Sequence, residues 1–160
     1  MVQIWLGMNV LFVIAVLVWS WQKESISIII DLAKLTSQTA LILFLVNVNM
    51  YFIFLVIRKS KVRKIKVSLA KISRYMMKAH IPLAVTGTSL ILIHAVLMLL
   101  YHTLSVIHIK MLSGMAALFV LAGVLSSGYL RHKKASGKRR KWHLVMAFIF
   151  MGVAIIHIFN

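Results

Sequence analysis

Long apolar stretches alternate with short polar ones along the whole chain. They run over Val2–Trp21, Thr39–Ile57, Ala79–Tyr101, Ile107–Leu130 and Trp142–Phe159. Each is close to the ~20 residues that a helix needs to cross the hydrocarbon core of a bilayer. The pattern predicts an all-α integral membrane helical bundle of about five transmembrane helices. Pro82 is the one proline and no low-complexity linker interrupts the chain, so residues 1–160 read as a single domain. The segment Ser25–Thr36 fits either an amphipathic helix on the outer surface or an outward extension of the second span. The first span has no charged n-region, a long apolar part and no small-residue cleavage site. It therefore reads as a span and not as a cleaved signal peptide.

Charge orients the spans. Sixteen of the nineteen Lys and Arg residues fall in two runs, Arg58–Lys78 and Arg131–Lys141. These runs join spans two to three and four to five. Cytoplasmic loops are enriched in Lys and Arg, so the expected topology has both runs and the N-terminus in the cytoplasm and the C-terminus outside. The expected location is the cell membrane, multi-pass. Trp5, Trp19, Trp21 and Trp142 fall near the predicted interfaces. A net charge of +17 alone suggests nucleic acid, but an apolar content of 62% assigns the charge to loops and makes the lipid bilayer the partner.

Composition also removes whole classes of chemistry. The absence of cysteine excludes disulfides, iron–sulfur clusters, thiolate zinc and covalently attached c-type haem. The two acidic residues, Glu24 and Asp31, share one short polar segment, which leaves no paired-carboxylate acid–base site. No glycine-rich phosphate loop is present.

Histidines are what remain inside the spans, where ionisable residues are costly and mark function. His80 and His94 stand fourteen residues apart in span three, and His143 and His157 fourteen apart in span five. Fourteen helical residues rise about 21 Å and return to within about 40° of the starting direction. Both spans run outward in the expected topology. Lys78-Ala79-His80 also has the same register to its basic run as Lys141-Trp142-His143. His80 and His143 then share one depth, and His94 and His157 another. Two parallel helices carrying histidines at two depths predict two bis-imidazole sites, and neutral imidazole is a good axial ligand for haem iron. Zinc fits poorly, because a compact site needs its ligands together.

The stretch Arg74-Tyr75-Met76-Met77-Lys78-Ala79-His80, continuing to His94, resembles the third span of the ferric-reductase-like transmembrane domain. The run Arg139-Arg140-Lys141-Trp142-His143, continuing to His157, resembles its fifth span. The resemblance covers roughly residues 40–160. It implies two non-covalent b haems between helices three and five, with His80, His94, His143 and His157 as iron ligands and the N-terminus and basic loops cytoplasmic. Cytochrome b of quinol-oxidising complexes uses a similar motif. Many members of the ferric-reductase-like family have a sixth span, and its reductases often carry a cytoplasmic flavin–nicotinamide domain. Neither falls within these residues, so the resemblance implies a separate electron-donor protein or quinol, with quinone or flavin supplied by a partner.

Further positions are candidates around such cofactors. Arg74, Lys78, Arg139 and Lys141 flank the inner histidine pair and suit anionic propionates. Tyr101, His102, His108 and Lys110 stand on the charge-poor outer side, whereas His132, inside a basic run, reads as solvated. Gly87 lies midway between His80 and His94, where a macrocycle or a helix can approach closely. Phe150 lies midway between His143 and His157. Gly114 and Gly123 read as packing positions, and Asn47 and Asn49 as residues that bond across helices or contact a quinone. The expected function is a membrane di-haem b-type cytochrome carrying electrons from a cytoplasmic-side donor to an outer-side acceptor. The alternatives are a quinol-linked cytochrome b subunit and, from another class, a haem-free membrane scaffold or transporter subunit.

Overall fold

A computed structural model of the chain describes residues 2–22, 27–101 and 109–160, with side chains from residue 7 onward. Five α-helices account for nearly all of them. They are α1 (Val2–Trp21), α2 (Ile28–Lys59), α3 (Arg63–Tyr101), α4 (Ile109–Lys133) and α5 (Gly137–Phe159). Helices α2 to α5 are each long and apolar enough to cross a membrane, and α1 adds a shorter apolar stretch, Gly7–Trp21. The multi-pass, all-helical expectation stands at that level.

The helix ends follow from local chemistry. Ser27 caps α2, its hydroxyl accepting from Ile29 N at 3.2 Å, and Asp31 in the first turn complements the positive end of the helix dipole. Asp31 is therefore helical. The segment 28–36 is an extension of the second span. Three residues, Ser60–Val62, separate α2 from α3, and residues 63–78 of the basic run are helical throughout. Lys and Arg are good helix formers, so nothing there ends the helix. With 39 residues, α3 spans about 58 Å at 1.5 Å per residue, far beyond a ~30 Å hydrocarbon core. Helix α3 continues through Pro82, whose ring faces outward and whose missing N–H leaves the carbonyl one turn back without its ladder donor. At the second tight turn, Ser136 caps α5 by accepting from Arg139 N at 3.2 Å. Arg139 donates to Leu130 O at 2.6 Å, closing the exposed C-terminus of α4.

The helices group into two compact units, residues 1–103 and 104–160. In the first, α2 and α3 form an antiparallel hairpin and α1 packs on α2, where Asn49 Nδ2 donates to Asn9 Oδ1 at 3.3 Å. In the second, α4 and α5 form a hairpin. Few side chains are buried. They include Ala33, Ala40 and Phe44 on α2, Ser73 and Gly87 on α3, Leu121 and Ser127 on α4, and Phe150 and Met151 on α5. Most large apolar side chains face outward, as lipid requires. Within lipid no hydrophobic force joins helices, so small residues and interhelical hydrogen bonds must do so.

The inward positions recur every seven residues. Ser73, His80, Gly87 and His94 form one such row on α3, and His143, Phe150 and His157 another on α5. A seven-residue repeat keeps one seam facing its partner along two coiled helices. The histidines thus stand in the seams of the two hairpins.

Candidate haem-ligand histidines

His94 Nδ1 lies 2.8 Å from Ala33 O on α2. A carbonyl only accepts, so Nδ1 carries the hydrogen and donates it. Ala33 is wholly buried, and its single methyl group lets the imidazole reach the helix backbone. His80 stands two heptads earlier on the same seam. Its Nδ1 is buried, and its backbone carbonyl accepts from Asn47 Nδ2 at 3.3 Å. Ala33 and Asn47 are themselves fourteen residues apart, so α2 meets both histidines in one unbroken register.

In the second unit, α4 plays the corresponding part. Ser127 Oγ donates its one hydrogen to Val124 O at 2.7 Å. It can then only accept from His143 Nδ1, 3.0 Å away. The same nitrogen lies 3.2 Å from Val124 O, a second pure acceptor. Ser113 Oγ donates to Lys110 O at 2.9 Å and accepts from His157 Nδ1 at 3.0 Å. His94 and His143 are therefore Nδ1–H tautomers with the lone pair on Nε2, and His157 is the same tautomer when Ser113 gives its hydrogen to Lys110 O.

Glycines complete the α4 surface. A methyl group at Gly128 would stand 3.2 Å from His143 Cε1, and one at Gly114 would stand 3.0 Å from His157 Cε1. Ser113-Gly114 and Ser127-Gly128 are thus a dipeptide repeated at fourteen residues, matching the histidine spacing on α5. Gly114 is thus more than a packing position, and Gly128, Ser113 and Ser127 share its part. The signal was present as a second fourteen-residue spacing, but on a helix without histidines.

Other expected positions resolve differently. Gly87 accommodates a protein ring: Phe44 of α2 lies 3.1 Å from where its Cβ would be. Phe150 is buried between the two histidines of α5. Asn47 and Asn49 both bond across helices. Arg74, Lys78, Lys110, Lys141 and His132 are exposed, and Arg139 is engaged at the end of α4. His102 and His108 lie outside the described residues. Among the described residues, no three His, Asp or Glu side chains gather as a metal cluster.

Comparison with known proteins adds no relative: no family model, no curated protein and no solved structure matches this chain.

Proposed function

We propose that the protein is a membrane di-haem b-type cytochrome, similar to the haem-carrying membrane part of ferric reductases. It carries electrons from a cytoplasmic-side donor to an outer-side acceptor. His80 with His143, and His94 with His157, are the axial ligand pairs. The observation that carries this reading is the acceptor behind Nδ1 of each ring: Ala33 O at His94, Val124 O at His143 and Ser113 Oγ at His157. An imidazole that ligates iron through Nε2 must be neutral, with Nδ1–H given to an acceptor, and that is the typical arrangement behind metal-bound histidines. The donor set therefore fits haem. The equal spacing of the pairs, and their equal register to Lys78 and Lys141, support the pairing by depth. Haem supplies a one-electron ferric–ferrous couple when bound.

The chain's own residues hold and tune. The buried seams fix ring orientation. The basic runs place Arg74, Lys78 and Lys141 on the expected cytoplasmic side, where they suit anionic propionates. Exposed Lys110 offers a cation at the other end of α4. The first test is a reduced-minus-oxidised spectrum of the purified protein with haem quantified per chain. The expected result is two non-covalent low-spin b haems. A second reading has its own observation. The same imidazoles already tie α3 to α2 and α5 to α4, which a haem-free membrane scaffold would also use. Colourless protein without a Soret band decides for that scaffold.

A further inference from the structure

We propose that Ser113 and Ser127 of α4 are positioning residues: Ser113 sets the tautomer of His157, and each serine holds down the reduction potential of the iron its histidine ligates. The proposal rests on the haem reading for its redox part only. The tautomer part concerns the protein alone.

Each serine hydroxyl has one hydrogen, and in both cases it is given to the carbonyl three residues back on the same helix. This polarises the oxygen and leaves it an acceptor facing the imidazole. The acceptor draws on Nδ1–H, which raises electron density at Nε2 and makes it a stronger donor to a metal. A stronger donor favours the ferric state, so the potential falls. Gly114 and Gly128, each next to its serine in sequence, leave the room in which the ring approaches. The His157 site differs from the one at His94, where a backbone carbonyl, Ala33 O, is the acceptor, and from His143, where Val124 O at 3.2 Å shares that part with Ser127. A side chain can be replaced and a carbonyl cannot, so the His157 site is where sequence change most readily retunes the protein.

The experiment uses the full chain in lipid nanodiscs and two readouts. In haem-free protein with 15N-labelled histidine, wild type should show His157 and His143 as Nδ1–H tautomers. Ser113→Ala should convert His157 to a mixture and leave His143 unchanged, and Ser127→Ala should leave His157 unchanged. In haem-loaded protein, each alanine variant should keep both haems and raise the midpoint potential of one. Ser113→Thr, which keeps the hydroxyl, should restore both readouts. If Ser113→Ala does not accumulate, Ser113→Cys keeps a weaker acceptor at similar volume and should give the same shifts in smaller size. An unchanged His157 tautomer in Ser113→Ala or Ser113→Cys overturns the proposal, as does a potential that falls or does not move in any alanine variant. If wild type binds no haem, the function above fails while the tautomer readout still decides this inference.

Discussion

At the scale of one residue, a methyl group added to α4 has different consequences at two glycines. An exposed helical glycine changed to alanine gains up to about 1 kcal/mol from propensity. At Gly123 the new methyl meets only Met146 Cε, at 2.5 Å, the free end of a flexible side chain that can move aside. Gly123→Ala should therefore leave thermal stability equal or slightly higher, read as the melting temperature in detergent. At Gly114 the methyl meets the ring of His157, which is tied to Ser113 and cannot swing away without losing that bond. Gly114→Ala should displace the ring, lower haem retention at the His157 site and leave the His143 site intact. Equal haem retention in the two variants would show that the glycines of α4 are interchangeable spacers. Sequence spacing exposed the histidines because they are rare and chemically distinct. The serines and glycines were hidden because such residues are ordinary at membrane helix contacts.

At the scale of the element, what the sequence could not show was the pairing register of α2 with α3. Hydropathy gave each span its own ends, 39–57 and 79–101. The Ala33–His94 and Asn47–His80 contacts stagger them. Continued along the hairpin, the register puts Ile57 level with about residue 70, so the basic stretch 71–78 lies beside the apolar end of α2. Lys and Arg tolerate this by laying their apolar stems along the neighbour and extending the charge to water. Hairpin α4–α5 has no such stagger, because Ser127 opposite His143 brings Leu130 close to Arg140. The caps also decide how topology should be tested. Ser60 and Ser136 look like free loop serines in the sequence, but both accept backbone hydrogen bonds, and losing the Ser136 cap costs about 1 kcal/mol. Cysteines at Lys61 and Ala135, both exposed, avoid that cost. Both should react with a membrane-impermeant thiol reagent only after the cytoplasmic face is opened. Labelling of either in intact cells reverses the proposed orientation. A bulky side chain at Ala33 tests the register itself. Ala33→Leu adds three carbons where no space remains, at a typical cost of 1–3 kcal/mol, and should weaken haem retention at His94 more than at His80.

At the scale of the whole molecule, the proposal stands or falls on which histidines act together. The fold class, the helix count and the rows bearing the histidines were legible because membrane helices announce themselves by length, and a two-heptad spacing survives any detail of packing. The way each ring is held was not legible, since it depends on carbonyls and hydroxyls of a partner helix. Removing one ligand of a haem should disturb that haem and spare the other. His94→Ala and His157→Ala should lose the same spectral component and the same midpoint potential, and His80→Ala and His143→Ala should share the other. Loss of the inner pair should stop a cytoplasmic donor from reducing the remaining haem. Loss of the outer pair should leave the inner haem reducible and block transfer to an external acceptor. The opposite pairing, His80 with His157, requires α3 and α5 to cross the membrane in opposite senses. The basic runs oppose that, because each precedes its histidine pair in the same order. If His80→Ala and His157→Ala abolish one common signal while His143→Ala abolishes the other, the depth pairing is wrong. If all four variants retain full haem content, the rings only join α3 to α2 and α5 to α4, and the iron is held elsewhere.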